Sequence, residues 1–74
     1  MTNDYKQTVF FNTLARQLVS MRKMRGLTQE QLAAEAGLDR VAIANIETGR
    51  RNPTVLTLFK LADAMDVEVK DFFN

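Results

Sequence analysis

Apolar residues recur along this chain at intervals of three and four, and no segment keeps up a period-two alternation. That pattern predicts helices throughout and no sheet. Phe10, Leu14, Leu18 and Met21 form one such stripe, which predicts a first helix from about Thr8 to Arg25. Gly26 ends it, following basic residues that suit the helix dipole. Thr28 is placed to cap a second helix, with Gln31 three residues later as its capping-box partner and Leu32, Ala33 and Ala36 on the inner face. Asp39 caps a third helix whose inward residues are Ile43 and Ile46. Thr54, just behind Pro53, caps a fourth with Leu58, Leu61, Ala62 and Met65 inside. A last helical turn around Lys70–Phe73 folds Phe72 back onto that core. The fold class expected is therefore all-α: one bundle of five short helices over residues 1–74, without repeats, linkers or low-complexity tracts.

The second and third helices are joined by Ala36-Gly37-Leu38, too short a connection for a wandering loop. A turn this tight leaves the helix through a left-handed residue, where a Cβ is penalised and Gly37 has none. Ala33, four residues earlier, is small enough to let the two helices cross closely. Leu32, Leu38, Ile43 and Ile46 are apolar where the helices must share a core. Spread over about residues 28–47, these features describe a helix-turn-helix.

If Ile43 and Ile46 face inward, Arg40, Val41, Ala44 and Asn45 face mostly outward, with Ala42 near the boundary. A solvated helix face normally carries several Glu and Lys. Small residues there suit close approach to another surface. Arg pairs bidentately with guanine in the major groove and Asn with adenine, while Val41 and Ala44 suit thymine methyl groups. Gln29, at the start of the second helix, is placed to hold a phosphate through its backbone and side-chain amides. Arg50, Arg51 and Asn52 form a polar loop at the far end of the reading helix. Arg22 and Glu47 lie beside the apolar stripes of the first and third helices, where a partly buried pair would serve packing specificity.

Charge sharpens this picture only through its distribution. The formal net charge is +1, but residues 1–25 carry Lys6, Arg16, Arg22, Lys23 and Arg25 against Asp4 alone. Residues 40–52 carry Arg40, Arg50 and Arg51 against Glu47. A near-neutral chain can thus turn one basic face to a polyanion. There is no cysteine and no histidine, no Gly-rich phosphate loop, and the carboxylates sit mostly where helix caps and solvated faces put them. These absences argue against an enzyme, a metal site, a cofactor or a small-molecule ligand. No window approaches the roughly 18 uninterrupted apolar residues of a membrane span, and "MTNDYKQ" lacks the order of a signal peptide. A cytoplasmic location is expected.

With those residues in view, "RKMRGLTQEQLAAEAGLDRVAIANIETGRRNPTVLTLFKLADAMDV" strongly resembles the Cro-like (xenobiotic-response-element) helix-turn-helix family of phage and bacterial repressors. The match runs over about residues 14–73. It is carried by "GLTQEQLA", Gly37, "I..IE.G", "NPT" and "L..LA.A". The resemblance implies the phage-repressor (lambda repressor-like) five-helix DNA-binding fold, acting as a dimer on double-stranded, palindromic operators in a bacterium or phage, at the nucleoid. It implies a phosphate contact for Gln29, base-reading positions for Arg40, Val41, Ala44 and Asn45, and an internal ion pair of Arg22 with Glu47. A narrower resemblance, through "LDR" at residues 38–40, "RRN" at 50–52 and the closing "DFF", is to the controller proteins of restriction–modification systems. These are small dimers that regulate their own gene and the endonuclease gene, and in them arginines matching Arg40 and Arg51 are important DNA contacts. Val41 and Ala42 depart from the larger polar residue often found there, which implies a differently read operator.

Five short helices leave apolar residues over. Val55, Leu56, Phe59, Val69 and Phe73 cannot all face one small core; at least two complete it, and the rest form a patch on the fourth and fifth helices suited to a two-fold contact. The expected assembly is a homodimer, or two dimers on adjacent sites. The rival reading is an antitoxin-type or phage-type repressor that binds DNA only with a protein partner.

Overall fold

Asp4–Met24 (α1), Gln29–Ala36 (α2), Arg40–Glu47 (α3) and Val55–Ala64 (α4) are α-helices, and Val69–Phe73 is a 3-10 turn, in a computed structural model that describes residues 4–73. Residues 1–3 and 74 of the expected 1–74 domain lie outside the described residues. Each boundary follows from local chemistry. At the start of α2 the Thr28 hydroxyl accepts the Gln31 amide at 3.0 Å, and the Gln31 side chain accepts the Thr28 amide at 2.9 Å. The reciprocal pair satisfies two donors that a helix N-terminus otherwise leaves open. Asp39 accepts the Ala42 amide at 2.8 Å and Thr54 the Thr57 amide at 3.0 Å, capping α3 and α4.

All four helices end the same way, through a left-handed residue followed by an amide that reaches back five residues. Leu27 donates to the Arg22 carbonyl at 3.1 Å, Leu38 to Ala33 at 2.9 Å, Arg50 to Asn45 at 2.9 Å and Val67 to Ala62 at 2.9 Å. Glycine supplies the left-handed residue three times. The fourth time it is Asp66, at φ +57°.

Leu14 and Leu18 of α1, Leu32 of α2, Ile43 and Ile46 of α3, Leu61 and Met65 around α4, and Phe72 of the closing turn form one core. Each such side chain contributes about 1.5–3 kcal/mol by leaving water. Ala33 and Ala36 are buried at the crossing of α2 and α3, where their size lets the backbones approach.

The expected architecture needs four corrections. Among the described residues there are four α-helices and not five, because Val69–Phe73 makes only 3-10 geometry, with the Asp71 amide on the Glu68 carbonyl at 2.9 Å. Five residues allow too few α-helical bonds to repay ordering an α-helix. The segment still delivers Phe72, fully buried, to the core. Secondly, α1 starts at Asp4, not near Thr8, and ends at Met24. At 21 residues it is roughly 32 Å long, longer than the 23 and 20 Å of the molecule's two shorter dimensions, so its first turns run past the bundle. Thirdly, Phe10 is 49% exposed, although it shares a side with Leu14. Its ring rests on Phe73, while Phe11 packs against the core. Fourthly, Ala42 is buried and not at the boundary.

Candidate nucleic-acid interface

Gly37 sits at φ +72°, ψ +31°, and the chain enters α3 only three residues later. This turn makes α3 cross α2 and press Ala42, Ile43 and Ile46 into the core. The opposite side of the helix is left over. Arg40 is exposed and Val41 is 56% exposed; Ala44 and Asn45 are half-buried. Four positions on one short helix thus share one outward side.

Behind that side runs a chain of charged and amide groups linking three helices. Arg22 of α1 donates from Nε to Glu47 Oε2 at 2.6 Å and from Nη2 to Oε1 at 3.1 Å, a bidentate pair between α1 and the last residue of α3. The Arg22 Nη1 donates to the Leu27 carbonyl at 2.8 Å. With side chains 11% and 5% exposed, the pair is largely shielded from water, which strengthens charge-assisted bonds and makes either partner costly to remove alone. The Gln29 amide nitrogen donates to Glu47 Oε1 at 2.9 Å, and Arg40 Nη1 donates to Gln29 Oε1 at 3.3 Å. The Arg40 guanidinium is therefore tethered at one nitrogen while its remaining donors face outward.

The sequence singles out Gln29 as a phosphate ligand; in the structure its side chain bridges the ion pair and Arg40. No spacing rule points to that bridge. Gln29 and Arg40 are 11 positions apart, and they meet because each is the first residue of its helix and the two helices cross. Arg50, Arg51 and Asn52 are exposed in the loop after α3, and neither arginine forms an ion pair among the described residues. The Arg50 and Arg51 amides both donate to the Asn45 carbonyl, at 2.9 and 3.2 Å, so the loop is anchored to the end of α3 while its guanidinium groups stay available.

Of the five residues expected to divide between core and patch, only Val69 packs against the core. Val55, Leu56, Phe59 and Phe73 are 78%, 62%, 59% and 42% exposed. The expectation that at least two would complete the core is corrected to one: the 3-10 turn buries Phe72 and leaves the adjacent Phe73 ring on the surface. Among the described residues no helix is long and apolar enough to cross a membrane, and no group of His, Cys, Asp and Glu could hold a metal ion.

Residues 18–72 match the helix-turn-helix family model. The chain belongs to the helix-turn-helix family of transcriptional regulators. It is similar to the control protein C.SmaI of Serratia marcescens, with 43% identity over 56 residues, 76% of this chain and 67% of that protein. It is 47% identical over 47 residues to the uncharacterised helix-turn-helix regulator y4dJ of Sinorhizobium fredii, covering 64% of this chain and spanning 61% of that regulator's length. The crystal structure of the restriction–modification controller protein C.AhdI from Aeromonas hydrophila superposes with a TM-score of 0.83 at 36% identity, covering 85% of this chain and 96% of that one.

Proposed function

We propose that this helix-turn-helix regulator binds a palindromic operator sequence-specifically as a homodimer, and that it is the controller protein of a restriction–modification system. The observation that supports the reading best is the outward side of α3. Arg40 stands on its first turn, held through Gln29, with Val41 exposed beside it and only small or amide side chains beyond. A major groove about 12 Å wide admits such a helix. Arg40 pairs with a guanine, Asn45 with an adenine, and Val41 and Ala44 meet thymine methyl groups. Gln29, Arg50, Arg51 and Asn52 flank the reading side and take phosphates. Val55, Leu56, Phe59 and Phe73 form the two-fold contact, which sets the two reading helices about 34 Å apart. The controller-protein role is supported by the likeness to C.SmaI and C.AhdI.

The test is an anisotropy titration of the isolated chain on duplexes from upstream of its own reading frame, with scrambled duplexes as competitors. Arg40→Ala is expected to cost about 1–3 kcal/mol on the cognate site and to lower the ratio of cognate to scrambled affinity. Arg51→Ala is expected to weaken all duplexes alike and to reduce the salt slope by about one. An unchanged ratio in Arg40→Ala removes Arg40 from the reading role. Operator binding that appears only when a second protein is added replaces the self-sufficient dimer with the antitoxin-type reading.

A further inference from the structure

The first half of α1 carries an apolar surface that the helix-turn-helix does not use. Tyr5 is 82% exposed and Val9 46% exposed. Together with Lys6, Phe10, Thr13 and Phe73 they line an open groove of about 400 Å³. Positions 5, 9 and 13 recur at the four-residue interval that stacks side chains on one side of a helix. The match to the helix-turn-helix family model begins at residue 18, after the α1 residues of this groove.

We propose that this surface receives a second copy of the chain, extending the homodimer contact of α4 onto α1. The inference rests on the dimer reading given above. Continuity is the first argument for that occupant. The Phe73 ring, already assigned to the dimer contact, stacks on Phe10 with centroids 5.3 Å apart and planes 12° from parallel. A partner that covers Phe73 therefore reaches α1. On its other flank, α1 borders the loop leading into α4, where Thr8 and Asn12 line one cleft with Gly49 and Asn52.

Area is the second argument. A standard interface takes about 800 Å² from each partner, somewhat over half of it apolar. Val55, Leu56, Phe59 and Phe73 are two aliphatic side chains and two rings of roughly 200 Å² each, all already partly covered. They fall short of that apolar share. Tyr5, Val9 and Phe10 bring two further rings and close the gap. The groove is also suited to meeting its own copy, because among the described residues Lys6 is the only charged side chain lining it and an isologous contact sets like against like.

Tyr5 is the only tyrosine and there is no tryptophan, so the emission of the unaltered chain reports on this surface. Sedimentation equilibrium and iodide quenching of Tyr5 are measured over one concentration series. The quenching constant is expected to fall by about half or more across the range in which dimer forms, as the ring leaves water. Val9→Glu, on a half-exposed position, is expected to raise the dimer dissociation constant about tenfold or more, with helix content by circular dichroism unchanged. A dimer that forms with Tyr5 quenching unaltered, and that Leu56→Glu breaks but Val9→Glu does not, overturns the α1 contact and leaves the α4 dimer standing. A chain that stays monomeric throughout overturns both.

Discussion

A Cβ built on Gly37 meets no atom within 4 Å, although the residue sits at φ +72°. What glycine avoids there is torsional, with no steric contribution from neighbours. Gly37→Ala is accordingly expected to lower unfolding stability by about 1–2 kcal/mol, the cost of forcing an L-residue into the left-handed region. Urea denaturation checks this as a lower midpoint at unchanged slope. Asp66 holds the same region at φ +57°, with an exposed side chain and a carbonyl that accepts Arg25 at 3.3 Å. Replacing it by glycine keeps that carbonyl and removes the Cβ, so Asp66→Gly is expected to gain about 0.5–1 kcal/mol, part of the torsional relief being returned as chain entropy. The two sites also differ in how far the sequence announces them. Glycine between two helical patterns is a turn signal in itself. Asp66 sits in "ADAMDVE", where nothing local separates a left-handed Asp from a solvated one, and only the Val67 amide returning to Ala62 identifies it.

The pairing of Arg22 with Glu47 ties α1 to α3, and Gln29 ties both to the first turn of α3. Packing and positioning thus run through the same atoms, and two substitutions can separate them. Glu47→Ala leaves the Arg22 guanidinium largely buried without its partner, an expected loss of about 3 kcal/mol or more. Arg22→Met with Glu47→Leu removes both charges and fills the space, so most of that stability is expected to return. Operator discrimination is not expected to return with it, because Gln29 then has no acceptor and Arg40 no fixed tether. Thermal melts and the cognate-to-scrambled affinity ratio, read on the same three proteins, check the split. A double variant that recovers both properties would show the relay to be packing alone. The caps of α2, α3 and α4 were legible because each depends on residues three apart in the chain. The relay was not, because it arises where two helix starts cross in space, and hydrophobic periodicity carries no information about that crossing.

Periodicity has the same blind spot for the molecule as a unit. It put Phe10 on the side of α1 that holds Leu14 and Leu18, and that geometry holds; it could not say where along α1 the bundle stops. Apart from Met24 and Val41, the large exposed apolar residues among those described lie on α4, on the closing turn and on the first half of α1. A domain of 74 residues buries only about 60–65% of its unfolded surface and has little stability to spare. Covering those residues in a dimer therefore has a thermodynamic signature separate from DNA binding. If two folded protomers associate and unfold to separate chains, each tenfold rise in protein concentration adds about 1.4 kcal/mol per dimer by mass action. For the roughly 150 residues that unfold together, this amounts to about 3–6 °C in Tm per decade of concentration. Calorimetric scans across two decades are expected to show that drift for the wild type. They are expected to show none for Leu56→Glu, whose charge would be buried in the contact and whose Tm should match the wild type only at the dilute end. A wild-type Tm independent of concentration would mean that the folded chain is stable without a second copy, and that the apolar surface of α4 is left for some other partner.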